Sequence, residues 1–418
     1  MNNEKRSVKR QRIIYLCFST LALLFLGLIY AFSMFSTPMS TTFGLAKSDV
    51  GLTFNIMMVT FCLGNICGSQ LAKRIGLRLT VAIAAILFFV GFAGTGVFAY
   101  GNLWAIYIFY GVLGGWGVGM GYNTLVSMTN AWFPDCIGLS SGVLMMGFGL
   151  GSLIMGTISV NLATVFGLSA VLVAVGLVAC VVVILLALVL KEPSREVMEM
   201  LSTTTHVSAE DDPADAETMI KSPLFYVYVA WAIIGLTIGL ATIGSCSSDA
   251  QMVGVEAGFA TLLVGLVSSC NGLSRVVIGA IYDRANVKIT MVINGIVALA
   301  ATLCIIGAFV LTQPALYIAG ALLCGFCYGG VPVVNSAFAR EGYGQKKYAF
   351  NLSIMTAPIM VGSILNVIIQ VAVGGADQRF EVFCVLAVLA VIALIVVVPF
   401  AKLFDTHMGK LEAARAEK

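Results

Sequence analysis

The stretch LSAVLVAVGLVACVVVILLALVL, residues 168–190, decides the fold class. It runs without a charge, and its hardest interruption is Ser169. A helix needs about 20 such residues to cross the hydrocarbon core of a bilayer. Continuous apolar runs of this length, in place of short alternating ones, exclude an outer-membrane barrel. The composition is of the same kind throughout. The 418 residues are 60% hydrophobic and only 10% charged, with a mean hydropathy of +1.01; a soluble domain carries about 25% charged residues. The chain reads as an all-α, polytopic membrane protein.

Outward from residues 168–190, twelve spans are expected. Their limits are 13–35, 50–70, 79–99, 103–131, 138–163, 168–190, 223–245, 257–281, 289–311, 314–338, 348–373 and 380–401. They form two six-helix bundles, 1–190 and 223–418, joined by a linker at 191–222. The linker carries Glu192, Glu196, Glu199, Glu210, Asp211, Asp212, Asp215 and Glu217.

Charge placement orients the spans. Lys5, Arg6, Lys9, Arg10 and Arg12 precede the first span. With both termini cytoplasmic, twenty basic residues fall on that side, and only Lys47 and Arg379 on the other. That asymmetry is the positive-inside pattern. A multi-pass protein of a cell membrane, most simply a bacterial inner membrane, is expected. The first span is too long for a signal-peptide core.

One charge remains. Arg275 sits in FATLLVGLVSSCNGLSRVVIGAI, residues 259–281, six residues inside the expected end of the eighth span. An ionised side chain at membrane depth costs about 2.5–3.5 kcal/mol on insertion scales and marks a functional site by default. No acid lies on that span, so an anionic substrate is the expected counter-charge. The alternative is an arginine that snorkels or caps carbonyls near the cytoplasmic end. Asn271 stands one turn earlier on the same face and suits an orienting role.

The halves repeat weakly. Lys73-Arg74-Ile75-Gly76-Leu77-Arg78 and Asp283-Arg284-Ala285-Asn286-Val287-Lys288 match at an offset of 210 residues, each joining the second and third spans of its half. Internal repeats mark many transporters. Under that offset Arg275 maps to the neutral Asn65. The fourth and fifth spans are rich in glycine at small-x-x-x-small spacing, which suits packing and sliding within one fold more than dimerisation; a monomer is expected. The eleven cysteines form no disulfide framework. Cys324 and Cys327 make a C-x-x-C on an apolar helix with no His or acid beside it, which reads as packing, with no metal and no cofactor.

Gly279, Asp283-Arg284 and Lys288 resemble half of the major facilitator signature, G-x-x-x-D-R-x-G-R-R. The first-half copy departs from it, with Lys73 where an acid is usual. A narrower resemblance rests on Trp132-Phe133-Pro134-Asp135-x-x-Gly138-x-x-Ser141-Gly142, on Asn271-Gly272-x-x-Arg275, on Gly329-Gly330 and on Tyr348. These residues look like the oxalate/formate antiporter family, kin of the monocarboxylate transporters, over nearly the whole chain. The resemblance implies the major facilitator fold, with two pseudo-symmetric bundles. It implies gating by Asp283, Arg284, Lys288, Arg74 and Arg78, and carboxylate binding by Arg275. It also implies an aromatic cage from Tyr30, Phe35, Tyr122, Phe148 and Tyr328. Met355 stands where the family's oxalate exchanger has a second cation, and Met34 lies near a lysine position of monocarboxylate carriers.

One fixed cation matches one carboxylate. The expected function is secondary transport of short monocarboxylates of the lactate, pyruvate or formate type, by exchange or facilitated transport. Apart from Glu381 at the very start of the twelfth, the spans as delimited hold no Asp, Glu or His, so a titratable relay for proton symport is not visible within them. Proton-coupled symport and oxalate/formate-type dicarboxylate exchange stay open as alternatives, with a non-transporting sensor more distant. The partners are small carboxylate anions, protons under symport, and the bilayer, with no nucleic acid. No clustered nucleophile, base or metal set suggests an enzyme.

Overall fold

The computed structural model describes residues 2–133, 137–191, 193, 197, 214, 218–344, 348–375 and 377–416. The eight carboxylates of the linker lie outside the described residues, as do Pro134, Asp135, Arg195, Lys346 and Lys347.

Twelve apolar helices long enough to cross a membrane occur among the described residues. The first, α1, is Asn2–Leu26, a 3-10 turn Gly27–Ala31 and Phe32–Phe43. Next come α2 (Lys47–Ile75) and α3 (Leu77–Phe98). A π segment, Ile106–Gly114, interrupts α4 between Leu103–Ala105 and Gly115–Asn130. Another, Ser152–Gly156, interrupts α5 between Ile137–Gly151 and Thr157–Phe166. Then follow α6 (Leu168–Val189), α7 (Pro223–Met252), α8 (Ala257–Ala285), α9 (Val287–Leu311) and α10 (Pro314–Tyr343). The eleventh, α11, has two pieces, Tyr348–Ile354 and Ala357–Ala372, and α12 is Arg379–Ala416. In hydrocarbon every backbone group must be satisfied within the span, which only a helix or a closed barrel achieves.

Several helices outrun their expected limits. α7 continues past 245 to Met252, α8 past 281 to Ala285, and α12 past 401 to Ala416. Hydropathy registers the apolar middle, whereas the hydrogen-bond ladder continues into polar terminal turns. The break in α11 has a local cause. Pro358 offers no N–H to the carbonyl of Ile354 four residues earlier. Asn335 Nδ2 instead donates to the Met355 carbonyl at 2.9 Å, and Thr356 Oγ1 to the Ser353 carbonyl at 2.7 Å.

Two compact units emerge: Met1–His206 with Gly258–Gly272, and Val207–Ala257 with Leu273–Lys418. The expected boundary lay in the linker alone. The first half of α8 groups with the first unit because glycines let it meet α5. A Cβ on Gly265 would stand 2.5 Å from Leu153, and one on Gly149 2.8 Å from the Ser268 carbonyl.

The repeat is visible in packing. In the first unit α1 packs on α5, and α3 on α4 and α6; in the second α7 packs on α11, and α9 on α10 and α12. It is also visible in the backbone. Gly76 and Asn286, 210 residues apart, both have φ of 86° between two helices. Asn286 also caps α9, its side chain accepting from the Lys288 and Ile289 amides. Within the first unit α2 and α4 cross backbone to backbone: a Cβ on Gly119 would lie 2.0 Å from the Phe61 carbonyl oxygen. The small-x-x-x-small glycines thus serve packing inside the fold.

Candidate functional site

The face of α8 that carries Arg275 is inverted relative to a soluble helix. Leu273 and Val276 are more than half exposed, as lipid-facing residues are. Ser268, Asn271 and Ser274 are fully buried, and Arg275 is 5% exposed. Residues 268, 271 and 275 recur at i, i+3 and i+7, one helix face. A polar stripe turned inward and an apolar stripe turned outward is how a helix in a membrane protein faces the interior of its bundle. Arg275 lies ten residues before the end of α8, about 15 Å along the axis. A snorkelling arginine would be exposed at the periphery, and this one is not. Ser268 belongs to the same face and was missed, although its spacing from Arg275 was legible; Ser274, buried next to Arg275 in sequence, was missed as well.

In the first unit the aromatic residues form a cluster. Tyr30, in the 3-10 turn of α1, meets Phe148 of α5 edge-on with ring centroids 5.3 Å apart. Tyr122 of α4 lies 4.9 Å from Phe148, and Phe61 of α2 lies 5.7 Å from Tyr122. Phe61 was not anticipated. Gly27 allows the approach, since its Cβ would fall 2.0 Å from the Phe148 carbonyl oxygen. Tyr30 and Phe148 are buried and Tyr122 is half-buried. Phe35 is buried one turn beyond the 3-10 segment, and Met34 lies against Gly156. Asn65, the repeat mate of Arg275, is buried and donates to the Phe61 carbonyl at 2.9 Å.

In the second unit Tyr328 on α10 is buried against Gly239 of α7. Met355 is fully buried at the break in α11. Its carbonyl is held by Asn335, which accepts in turn from Tyr228 Oη at 2.7 Å. Cys324 and Cys327 are buried and unbridged, with Asn294 Nδ2 3.5 Å from Cys327 Sγ. No group of residues that could hold a metal occurs among those described.

The expectation that no span holds an acid needs correction. Asp249 lies in the last turn of α7, 1% exposed, where the expected limit of 245 excluded it. Arg379 Nε and Nη2 donate to its Oδ2 at 2.9 and 2.7 Å. Arg379 Nη2 also reaches the Ala241 carbonyl at 2.9 Å and Ser245 Oγ at 2.5 Å. This buried ion pair pins the start of α12 to α7. His407 is likewise no tail residue: it sits on α12, buried, 2.8 Å from the Gly342 carbonyl.

The gating candidates have separate surroundings. Arg78 Nε donates to the Leu190 carbonyl at 2.7 Å, and Trp132 Nε1 to the Lys191 carbonyl at 2.7 Å. Together they hold the carboxyl end of α6, where unsatisfied carbonyls attract donors. Arg74, Asp283 and Arg284 are exposed. Lys288 pairs with Asp405 of α12 at 2.7 Å, and Tyr282 donates to Glu341. Neither Asp405 nor Glu341 was anticipated, because each is brought near by another helix.

A family model of the Major Facilitator Superfamily matches residues 16–365. Over 344 residues the chain is 26% identical to the uncharacterized MFS-type transporter YhjX of Escherichia coli (strain K12), covering 81% of this chain and 82% of that protein. It is 24% identical over 330 residues to the oxalate:formate antiporter of Oxalobacter formigenes, covering 78% and 76%. A partially occluded inward open structure of the xylose transporter XylE from E. coli aligns with a TM-score of 0.69 at 15% identity, over 92% of this chain and 98% of that one. At that identity the likeness concerns the fold alone. Since the match runs from α1 into α11 and both units carry the same helix pairings, this chain belongs to the Major Facilitator Superfamily as a multi-pass, oxalate/formate antiporter-like transporter.

Proposed function

We propose that the chain exchanges short monocarboxylates across a bacterial inner membrane by alternating access, with both termini cytoplasmic. The observation that carries this is the inward polar face of α8 that ends in Arg275. A guanidinium is always protonated and offers a planar fork matched to a carboxylate. In a low-dielectric interior its attraction for an anion far exceeds that in water. Asn271, one turn earlier, orients the guanidinium. Tyr30, Tyr122 and Tyr328 supply hydroxyls, while Phe35 and Phe148 exclude water. Met355 gives the pocket a neutral wall, so a dianion would retain about one uncompensated charge. Exchange is favoured by the similarity to an oxalate:formate antiporter. Proton symport is the second reading, favoured by Asp249, the only carboxylate buried among the described residues.

The test is uptake of a carboxylate panel by proteoliposomes, with and without internal anion and a pH gradient. Arg275→Gln is expected to abolish uptake while the protein still inserts, and Arg275→Lys to retain part of it. Full transport by Arg275→Gln would refute the assignment. Trans-stimulation without pH dependence selects exchange, and the reverse selects symport.

A further inference from the structure

The second unit holds a cavity of about 420 Å³ at the amino end of α7, away from Arg275 on α8. Ligand pockets fall in this size range. Lys221, in the turn before α7, and Lys410, on α12, both line it, with His407 one turn before Lys410. Thr218 and Ser222 add hydroxyls from the segment entering α7. No described lining residue is acidic. The wall also includes the start of a 30-residue helix whose N-cap, Ser222, makes no side-chain cap bond. Such an end carries about half a positive charge and presents amides to oxygen ligands.

The remaining wall is apolar: Pro223, Leu224 and Leu403. Leu403 ends a stripe of exposed apolar residues on one side of α12, with Val388, Ile392 and Ile395 60%, 40% and 62% exposed. That row is a surface for an acyl chain. It leads to a cationic cavity beyond residue 401, the expected end of the twelfth span. Basic pockets between helices at the cytoplasmic face suit anionic headgroups.

We propose that this cavity binds a phosphate group, carried by an anionic phospholipid or free in solution, at a site distinct from the transport pathway. The lysines supply charge, Ser222 and Thr218 supply hydrogen bonds, and Leu224 and Leu403 contact the glycerol and first methylenes. His407, held by the Gly342 carbonyl, forms a fixed wall.

The experiment is native mass spectrometry of the full-length protein in detergent, titrated with phosphatidylglycerol, phosphatidylcholine or inorganic phosphate. Phosphatidylglycerol is expected to bind, and phosphatidylcholine to bind more weakly. Lys221→Gln with Lys410→Gln should weaken phosphatidylglycerol about fivefold per lysine, roughly thirtyfold for the pair. Lys221→Arg with Lys410→Arg should restore it, which separates charge from folding. Lys9→Gln with Arg10→Gln, at the other end of the chain, should leave it unchanged. Binding of inorganic phosphate with the same lysine dependence, and its displacement of the lipid, assigns the site to soluble phosphate. Lysine-dependent binding of phosphatidylglycerol alone assigns it to the headgroup. Equal phosphatidylglycerol binding by the wild type and the double glutamine variant overturns the proposal, as does an equal loss on changing Lys9 and Arg10.

Discussion

Removing Asp249 should leave Arg379 charged, buried and short of its partner. Arg379 is 4% exposed, and two of its four hydrogen bonds within the cluster end on Asp249 Oδ2. Breaking a buried pair by deleting one member costs about 3–5 kcal/mol, because the survivor remains desolvated. In Asp249→Ala the Ala241 carbonyl and Ser245 hydroxyl still solvate the guanidinium, which places the loss near ~3 kcal/mol. Asp249→Asn keeps an acceptor but no charge and should lose roughly half of that. Adding Arg379→Met to Asp249→Ala removes the orphan charge. That double variant should regain at least ~2 kcal/mol over the single one, since apolar replacement of a buried pair is often neutral. Unfolding in mixed micelles, followed by circular dichroism, measures all three. Stability of Asp249→Ala within about 0.5 kcal/mol of the wild type would refute the reasoning. So would a double variant less stable than the single.

Two other outcomes are expected. Met355→Lys places a second cation on α11 and should bring dicarboxylate uptake up to that of monocarboxylates in proteoliposomes; unchanged selectivity would remove Met355 from the pocket. Gly27→Ala puts a methyl 2.0 Å from a backbone oxygen at Phe148 and should destabilise the first unit by about 1–3 kcal/mol. A midpoint equal to wild type in the same micelle assay would show that α1 and α5 separate freely.

Much of the protein was legible in one dimension. Residues 168–190 fixed a helical membrane class because hydrocarbon leaves the backbone few ways to satisfy its hydrogen bonds. The basic residues oriented the spans, and the 210-residue offset located the repeat that Gly76 and Asn286 share. Arg275 stood out because a charge inside an apolar run is costly wherever the run folds. Burial and pairing were decided only in three dimensions. Asp249 and Arg379 looked like loop charges, yet they lie 130 residues apart in sequence and close a buried bridge. Phe61 joins the aromatic cluster through helix crossings that no local period encodes. Whether a polar side chain faces lipid, water or protein depends on which helices pack around it, and that is settled by close approach at glycines such as Gly27 and Gly119.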